Sequence, residues 1–162
     1  MKFLVIRFSS IGDIVLTTPV VRCLKRQVPG ATVHFLTKQN FGALLEHNPY
    51  VDRLHFLQED FGKMIETLHA EKFDAVIDLH RNIRTLRVKK ALGLPSHSFR
   101  KLNLEKWLIT SLKWDRLPDV HIVDRYLDTL SSYGVTNDGE GLDYFMPPAT
   151  RSPQEMLPEH FV

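Results

Sequence analysis

Three short apolar runs constrain this chain more than any other feature: KFLVIRF at 2–8, TVHFLT at 32–37 and FDAVIDL at 73–79. Each is close to continuous rather than alternating, the pattern of parallel strands covered on both faces of a sheet. Between the first two, Val20, Val21, Leu24 and Val28 recur at helical spacing and Pro29-Gly30 stops the pattern. Thr18 is the expected N-cap, with Pro19 at the first helical position; a helix starting at Asp13 and kinked at Pro19 is the alternative. Further helices are expected at 40–46, 60–71, 81–92, 103–113 and 120–133, the last closed by Gly134, with a weaker strand at 53–57. Strands alternating with helices predict an α/β fold, a doubly wound, mainly parallel Rossmann-like sheet with right-handed crossovers.

The chain has 162 residues, 43% hydrophobic and 25% charged, enough to bury a core without disulfides or metals. No apolar stretch approaches the roughly 18 to 20 residues that span a bilayer. The start, MKFLVIRFSSIGD, has one Lys and no small-residue cleavage site after its apolar run, so it reads as a first strand and not a signal peptide. Cys23 is the single cysteine, and its setting in VVRCLK is that of a buried thiol. A cytoplasmic location is expected.

The net charge of +2 hides a polarised chain. From Arg81 to Arg116 there are ten Lys or Arg against Glu105 and Asp115, whereas residues 117–162 hold eight acids against Arg125 and Arg151. The basic block is suited to an anionic partner. Few aromatics are interleaved with it, so no nucleic-acid module is expected. Residues 147–158 contain four prolines, which predicts an extended linker, and the following HFV reads as the start of a further strand. The expected organisation is a Rossmann-like domain over 1–146, then an interdomain linker and the start of a missing C-terminal domain over 147–162.

The segment FSSIGDIVLTTP, residues 8–19, follows the first strand, at the sheet edge where doubly wound folds bind ligands. It has neither G-x-G-x-x-G nor a P-loop pattern, since Gly12 stands alone, so it is not built for a pyrophosphate. A carboxylate at this turn, Asp13, is suited to accept a proton from a substrate hydroxyl. The alternative is an acid at a helix entrance, stabilised by the macrodipole. Ser9 and Ser10 are placed either to donate to Asp13 and to the hydroxyls of a ligand or to cap a helix, and Gly12 allows close approach of a ligand.

These residues carry a family resemblance. The run FLVIRFSSIGDIVLTTPVVRCLKRQVPGATVHFLT, then NPYVDRLHFL, FDAVIDLHRNIRT and HIVDRYL, resembles the N-terminal half of the heptosyltransferases, glycosyltransferase family 9, over about residues 2–134. The resemblance implies the N-terminal, acceptor-binding domain of a two-domain GT-B glycosyltransferase. It further implies inverting, metal-independent transfer of heptose from ADP-heptose to the lipopolysaccharide inner core. No cofactor is expected beyond that nucleotide-sugar donor, which the missing domain would bind. Asp13 is the implied base. Ser9, Ser10, Gly12, Arg81, Asn82, Arg84, Arg87 and His121 are the expected acceptor contacts.

The arginines have a reading of their own. If 81–92 is helical, Arg81, Arg84 and Arg87 form a stripe just past the third apolar strand, suited to carboxylates or phosphates, or else a solvated face. Asp78 is placed to pair with one of these arginines, and His80 reads as structural. The expected partner is an acidic glycolipid acceptor, with peripheral contact at the inner face of the cytoplasmic membrane. Leu104, Trp107, Leu108 and Leu112 form either an interfacial stripe or ordinary core. The competing class is a stand-alone, non-catalytic α/β module that binds an acidic sugar or nucleotide.

Overall fold

The computed structural model describes residues 1–99 and 121–145. The expected helix at 103–113, the basic residues from Arg100 to Arg116 and the linker at 147–162 lie outside the described residues. The element order is β1 (Lys2–Ile6), α1 (Ile11–Val15), α2 (Thr18–Gln27), β2 (Thr32–Thr37), a 3-10 segment (Gln39–Leu44), β3 (Arg53–Phe56), α3 (Phe61–Ala70), β4 (Ala75–Asp78), α4 (Ile83–Leu92), β5 (Ser96–Ser98), α5 (Ile122–Leu127) and a second 3-10 segment (Asp128–Tyr133).

All strand pairs are parallel, in the order β3-β2-β1-β4-β5. Helices cover both faces, which is why the strands read as continuous apolar runs. Phe3, Val5, Val33, Phe35, Ala75 and Ile77 pack with α2 and α5, while Leu4, Ile6, Leu36 and Val76 pack with α3 and α4. The doubly wound α/β expectation therefore holds. The strand order reverses between β1 and β4, so the crevice at that edge lies between the turn carrying Asp13 and the turn carrying Arg81.

Several boundaries differ from expectation, each for a local reason. The segment after β1 is two helices, not one kinked at Pro19. Thr17, not Thr18, caps α2, and its carbonyl receives the amides of Val20 and Val21 at 3.0 and 3.2 Å. The expected helix at 40–46 is a 3-10 segment. There Gly42 presses on Phe56 so closely that a Cβ would stand 2.8 Å from the ring. The helix expected at 120–133 becomes α5 followed by 3-10 backbone, and Gly134 closes it at φ 71° as expected. α4 starts at Ile83, not 81, because Asn82 is its N-cap.

Candidate active site at the carboxyl edge of β1 and β4

Arg7 follows the last residue of β1 and is 8% exposed. A buried guanidinium must have its donors satisfied. Arg7 donates to the Ser9 carbonyl at 2.8 Å, the Leu79 carbonyl at 2.5 Å and Tyr126 Oη at 3.0 Å, and pairs with Asp13 Oδ2 at 2.7 Å. One side chain thus ties the ends of β1 and β4 to α1 and α5.

Asp13 lies in the first turn of α1, three residues after the N-cap Ser10. The Ser10 amide and hydroxyl donate to Oδ2 at 3.1 and 2.9 Å, so these contacts and the Arg7 pair all fall on one carboxylate oxygen. Oδ1 carries none of them, and the side chain is 37% exposed. Burial would raise the Asp13 carboxyl, but the Ser10 hydrogen bonds and the Arg7 charge outweigh it and hold the group below the usual carboxylate range. It is ionised at neutral pH and able to accept a proton. Gly12 sits beside it in helical backbone, and a Cβ there would meet nothing within 4 Å, so the approach is open. Of the two serines, Ser10 donates to Asp13 as expected, while Ser9 gives its carbonyl to Arg7.

Across the crevice, Asp78 at the end of β4 is fully buried. It accepts the His80 and Arg81 amides at 3.1 and 2.7 Å and pairs with Lys89 at 2.8 Å, a lysine where an arginine was expected. This turn puts Arg81 at φ 49°, off the helix, with Nη1 donating to the Phe99 carbonyl at 3.1 Å. Asn82 Oδ1 accepts the Thr85 amide at 2.9 Å as a cap. The expected three-arginine stripe is therefore reduced to Arg84 and Arg87 on α4. With Gln58, Glu59 and Phe61 these two line a cavity of about 330 Å³, where the Arg87 guanidinium stands 4.6 Å from the Phe61 ring centre. His121 caps α5 through Nδ1, which accepts the Val123 amide at 3.3 Å. It lines a different cavity, of about 290 Å³, with Pro19, Asp124 and Asn137.

The expected site residues fall into three groups: the Asp13 turn, the β4–α4 turn with its arginine cavity, and His121. Arg7, Tyr126 and Lys89 were missed. The available signal was a cation directly after a buried strand, which has to be paired. Cys23 is buried, which pushes its thiol pKa up, away from nucleophilic use.

One other cluster has ligand-type atoms. His34 on β2, His55 on β3 and Glu71 bring theirs within 4.8 Å of one another. His34 Nδ1 and His55 Nε2 are 2.9 Å apart, a hydrogen bond between imidazoles. Glu71 already pairs through Oε2 with Lys2 and through Oε1 with Arg53, both at 2.5 Å, so both of its ligand oxygens are taken by cations. The cluster is better suited to holding β2, β3 and the end of α3 together than to holding a metal.

The sequence matches no family model. Lipopolysaccharide heptosyltransferase 3 of Escherichia coli K12 is 29% identical over 142 residues, which is 78% of this chain and 40% of that protein. Lipopolysaccharide heptosyltransferase 1 of Campylobacter coli is 26% identical over 112 residues, 65% of this chain and 33% of that protein. Over these spans the chain is similar in sequence to lipopolysaccharide heptosyltransferases. Its fold is theirs as well. Structures of E. coli heptosyltransferase WaaC with ADP and with ADP-2-deoxy-2-fluoro heptose match at TM-score 0.66, with 22% and 20% identity, over 88% of this chain and 50% and 51% of WaaC. The chain spans about a third to a half of these heptosyltransferases.

Proposed function

We propose that this chain is the acceptor-binding half of an inverting glycosyltransferase that moves heptose from ADP-heptose to the inner core of lipopolysaccharide, with Asp13 as general base. The observation that carries this reading is the asymmetry of Asp13 at the strand-order reversal. Oδ2 is fixed by Arg7 and Ser10, while Oδ1 takes part in none of these contacts and is left for an incoming group. The names of the related heptosyltransferases and the ADP-sugar analogue in WaaC support the choice of substrates.

In this mechanism an acceptor hydroxyl bonds to Asp13 Oδ1 and attacks the anomeric carbon from the face opposite ADP. The new C–O bond forms as the bond to the departing ADP oxygen breaks, which inverts the centre, and the hydroxyl proton passes to Oδ1. Arg7 lowers the basicity of Asp13 at rest, yet the hydroxyl becomes strongly acidic as the new bond forms, so an anchored, ionised carboxylate can still take the proton. Arg84 and Arg87 offer guanidinium forks to the acidic groups of the acceptor, and the Asn82 amide offers a donor to a sugar hydroxyl. His121 lines a separate cavity and caps α5. Residues 1–146 are the acceptor domain in this reading, and the enzyme works in the cytoplasm at the inner face of the membrane. No described helix is long and apolar enough to cross it. The test is single-turnover transfer by Asp13→Asn in the longer protein, where a rate within a few-fold of wild type would remove Asp13 as the base.

A further inference from the structure

Tyr126 stands beside Arg7 although 119 residues separate the two in sequence. It belongs to α5, is 1% exposed, and sets its ring edge-on against Phe99 with the ring centres 4.9 Å apart. A buried phenol keeps a hydrogen-bond partner for its oxygen, and here that oxygen accepts from Arg7 Nη1 at 3.0 Å.

The way Arg7 distributes its donors gives this contact its weight. Nε donates to the Ser9 carbonyl, and Nη1 donates to two acceptors at once, the Leu79 carbonyl and Tyr126 Oη. The hydrogen on Nε and both hydrogens on Nη1 are thus in use, which leaves Nη2 for Asp13 Oδ2 at 2.7 Å. A planar guanidinium held once at Nε and twice at Nη1 can neither turn in its plane nor tilt out of it. Of the three acceptors that hold it, two are main-chain carbonyls and Tyr126 Oη is the side chain.

We propose that Tyr126 is a positioning residue for the transfer step: its hydroxyl fixes Arg7, and through Arg7 the carboxylate of Asp13. The proposal rests on the reading of Asp13 as general base. Without the phenol oxygen, one Nη1 hydrogen loses its acceptor in a buried setting and the guanidinium is free to tilt away from Oδ2. A misplacement of about 1 Å at a reacting group costs on the order of a hundredfold in rate, so a part of that loss belongs to this hydroxyl. The Arg7 pair also helps to hold the Asp13 carboxyl low, and loosening it raises that group towards its ordinary value. The other charged groups at this edge are engaged elsewhere. Arg125, next to Tyr126 on α5, lies over the Phe99 ring at 5.8 Å, and the 3-10 segment packed on α1, Gln39–Leu44, has no titratable residue. In the β4–α4 turn Asp78 pairs with Lys89, His80 lies against the Phe8 ring and Arg81 donates to the Phe99 carbonyl.

Tyr126→Phe tests the proposal, because it keeps the ring on Phe99 and removes only the oxygen. In the longer protein kcat should fall about tenfold with KM for both substrates unchanged, and the acid limb of the kcat profile should move to higher pH. Added to Asp13→Asn, the same change should cost no further rate, since the base through which it acts is already gone. NMR titration of the Asp13 carboxyl in protein carrying isotope-labelled aspartate reads the link without turnover, and the Asp13 pKa should rise in Tyr126→Phe. If the variant melts early, this titration, run where both proteins are folded, decides. A wild-type kcat, an unmoved Asp13 titration, or a tenfold loss repeated on top of Asp13→Asn overturns the proposal; the last result would make the hydroxyl a purely structural group. Slow turnover by Asp13→Asn beside wild-type turnover by Tyr126→Phe removes this proposal and leaves the base in place. Wild-type turnover by Asp13→Asn sinks the base reading instead, and a raised Asp13 titration in Tyr126→Phe would then still show the link from α5 to that carboxylate.

Discussion

Two arginine–aspartate clusters in this molecule use the same chemistry to different ends. Arg22, on α2, is fully buried, and every contact it makes is saturated. It grips both oxygens of Asp138 at 2.7 Å, the Gly141 carbonyl at 2.9 Å and the Asp143 carboxylate. Asp138 is held well below the usual carboxylate range, chiefly by its hydrogen bonds to Arg22. Gln27 exchanges hydrogen bonds with the backbone of Thr136, and Thr18 receives the Asp143 amide, so residues 136–143 are strapped across α2. Arg7 is nearly as buried, but its partner Asp13 keeps one oxygen outside the cluster and stands 37% exposed, against 17% for Asp138 and 19% for Asp143. A closed set of charges holds the chain together. An open one leaves a proton acceptor in place.

The sharpest way to break this comparison is to remove the closed cluster's centre. Arg22→Met leaves two carboxylates facing a buried apolar side chain, and breaking a buried ion pair from one side costs about 3–5 kcal/mol. The lower end, about 3 kcal/mol, is expected, because both acids keep some access to water. Urea denaturation measures it, and a loss under about 1 kcal/mol would mean that the strap is not held by charge. Transfer activity well below the melting temperature should be unchanged.

The open cluster should respond in the opposite way. Asp13→Asn keeps the shape but cannot take a proton, so single-turnover rate should fall ~10²-fold or more with little change in acceptor binding. Stability should fall too, by about 1 kcal/mol or less, because the pair with Arg7 is lost but is partly screened by solvent. Stability alone therefore cannot separate a catalytic Asp13 from a structural one, and the rate decides. A stability loss equal to that of Arg22→Met would make the two clusters alike.

A third buried polar group, the His34–His55 pair, sharpens the contrast through pH. Burial pushes His55 down to about 4 and lowers His34 as well, so both are neutral at pH 7 in the folded chain. Unfolded histidines, near 6.5, take up protons first on acidification. The pair's contribution is thus whole above about pH 6.5 and fades as pH falls towards about 4. The depressed carboxylates Asp13, Asp52, Glu71 and Asp138 contribute in the other window, stabilising above their unfolded pKa values and failing only under stronger acid. Melting should drop between pH 7 and pH 5, and His34→Leu with His55→Leu should flatten that interval. A wild-type curve already flat there would show that the pair is not sensed.

Much of this was legible in the sequence. β1, β2 and β4 were visible because burial on both faces demands apolar runs, and the Asp13 turn was visible because it interrupts one. β5 was not, since an edge strand reading Ser-His-Ser has no apolar signal. Arg22 reads in sequence as one more surface cation on an amphipathic helix, and its partners lie 116 and 121 residues away. Arg7 was passed over for the same reason: pairing at long range leaves no local trace. The arginine stripe failed on a local detail, the Asn82–Thr85 cap, which starts the helix after Arg81 and leaves that arginine off it.

That cap sets the finest test of whether an open polar group serves the site. Asn82 spends Oδ1 on the Thr85 amide, while its Nδ2 group is the donor proposed for a sugar hydroxyl. Asn82→Ala removes both and should cost about 1 kcal/mol of stability, whatever else it does. Asn82→Asp is more informative. Aspartate caps as well as asparagine and adds a favourable charge at the helix start, so stability should hold or rise slightly. It has no amide donor, however, and places a negative charge near an acidic acceptor. The acceptor KM should therefore rise several-fold in this variant while the rate at saturation stays near wild type. An unchanged KM in Asn82→Asp, beside a destabilised Asn82→Ala, would class Asn82 with Arg22 among the groups that hold the chain and take it out of the site.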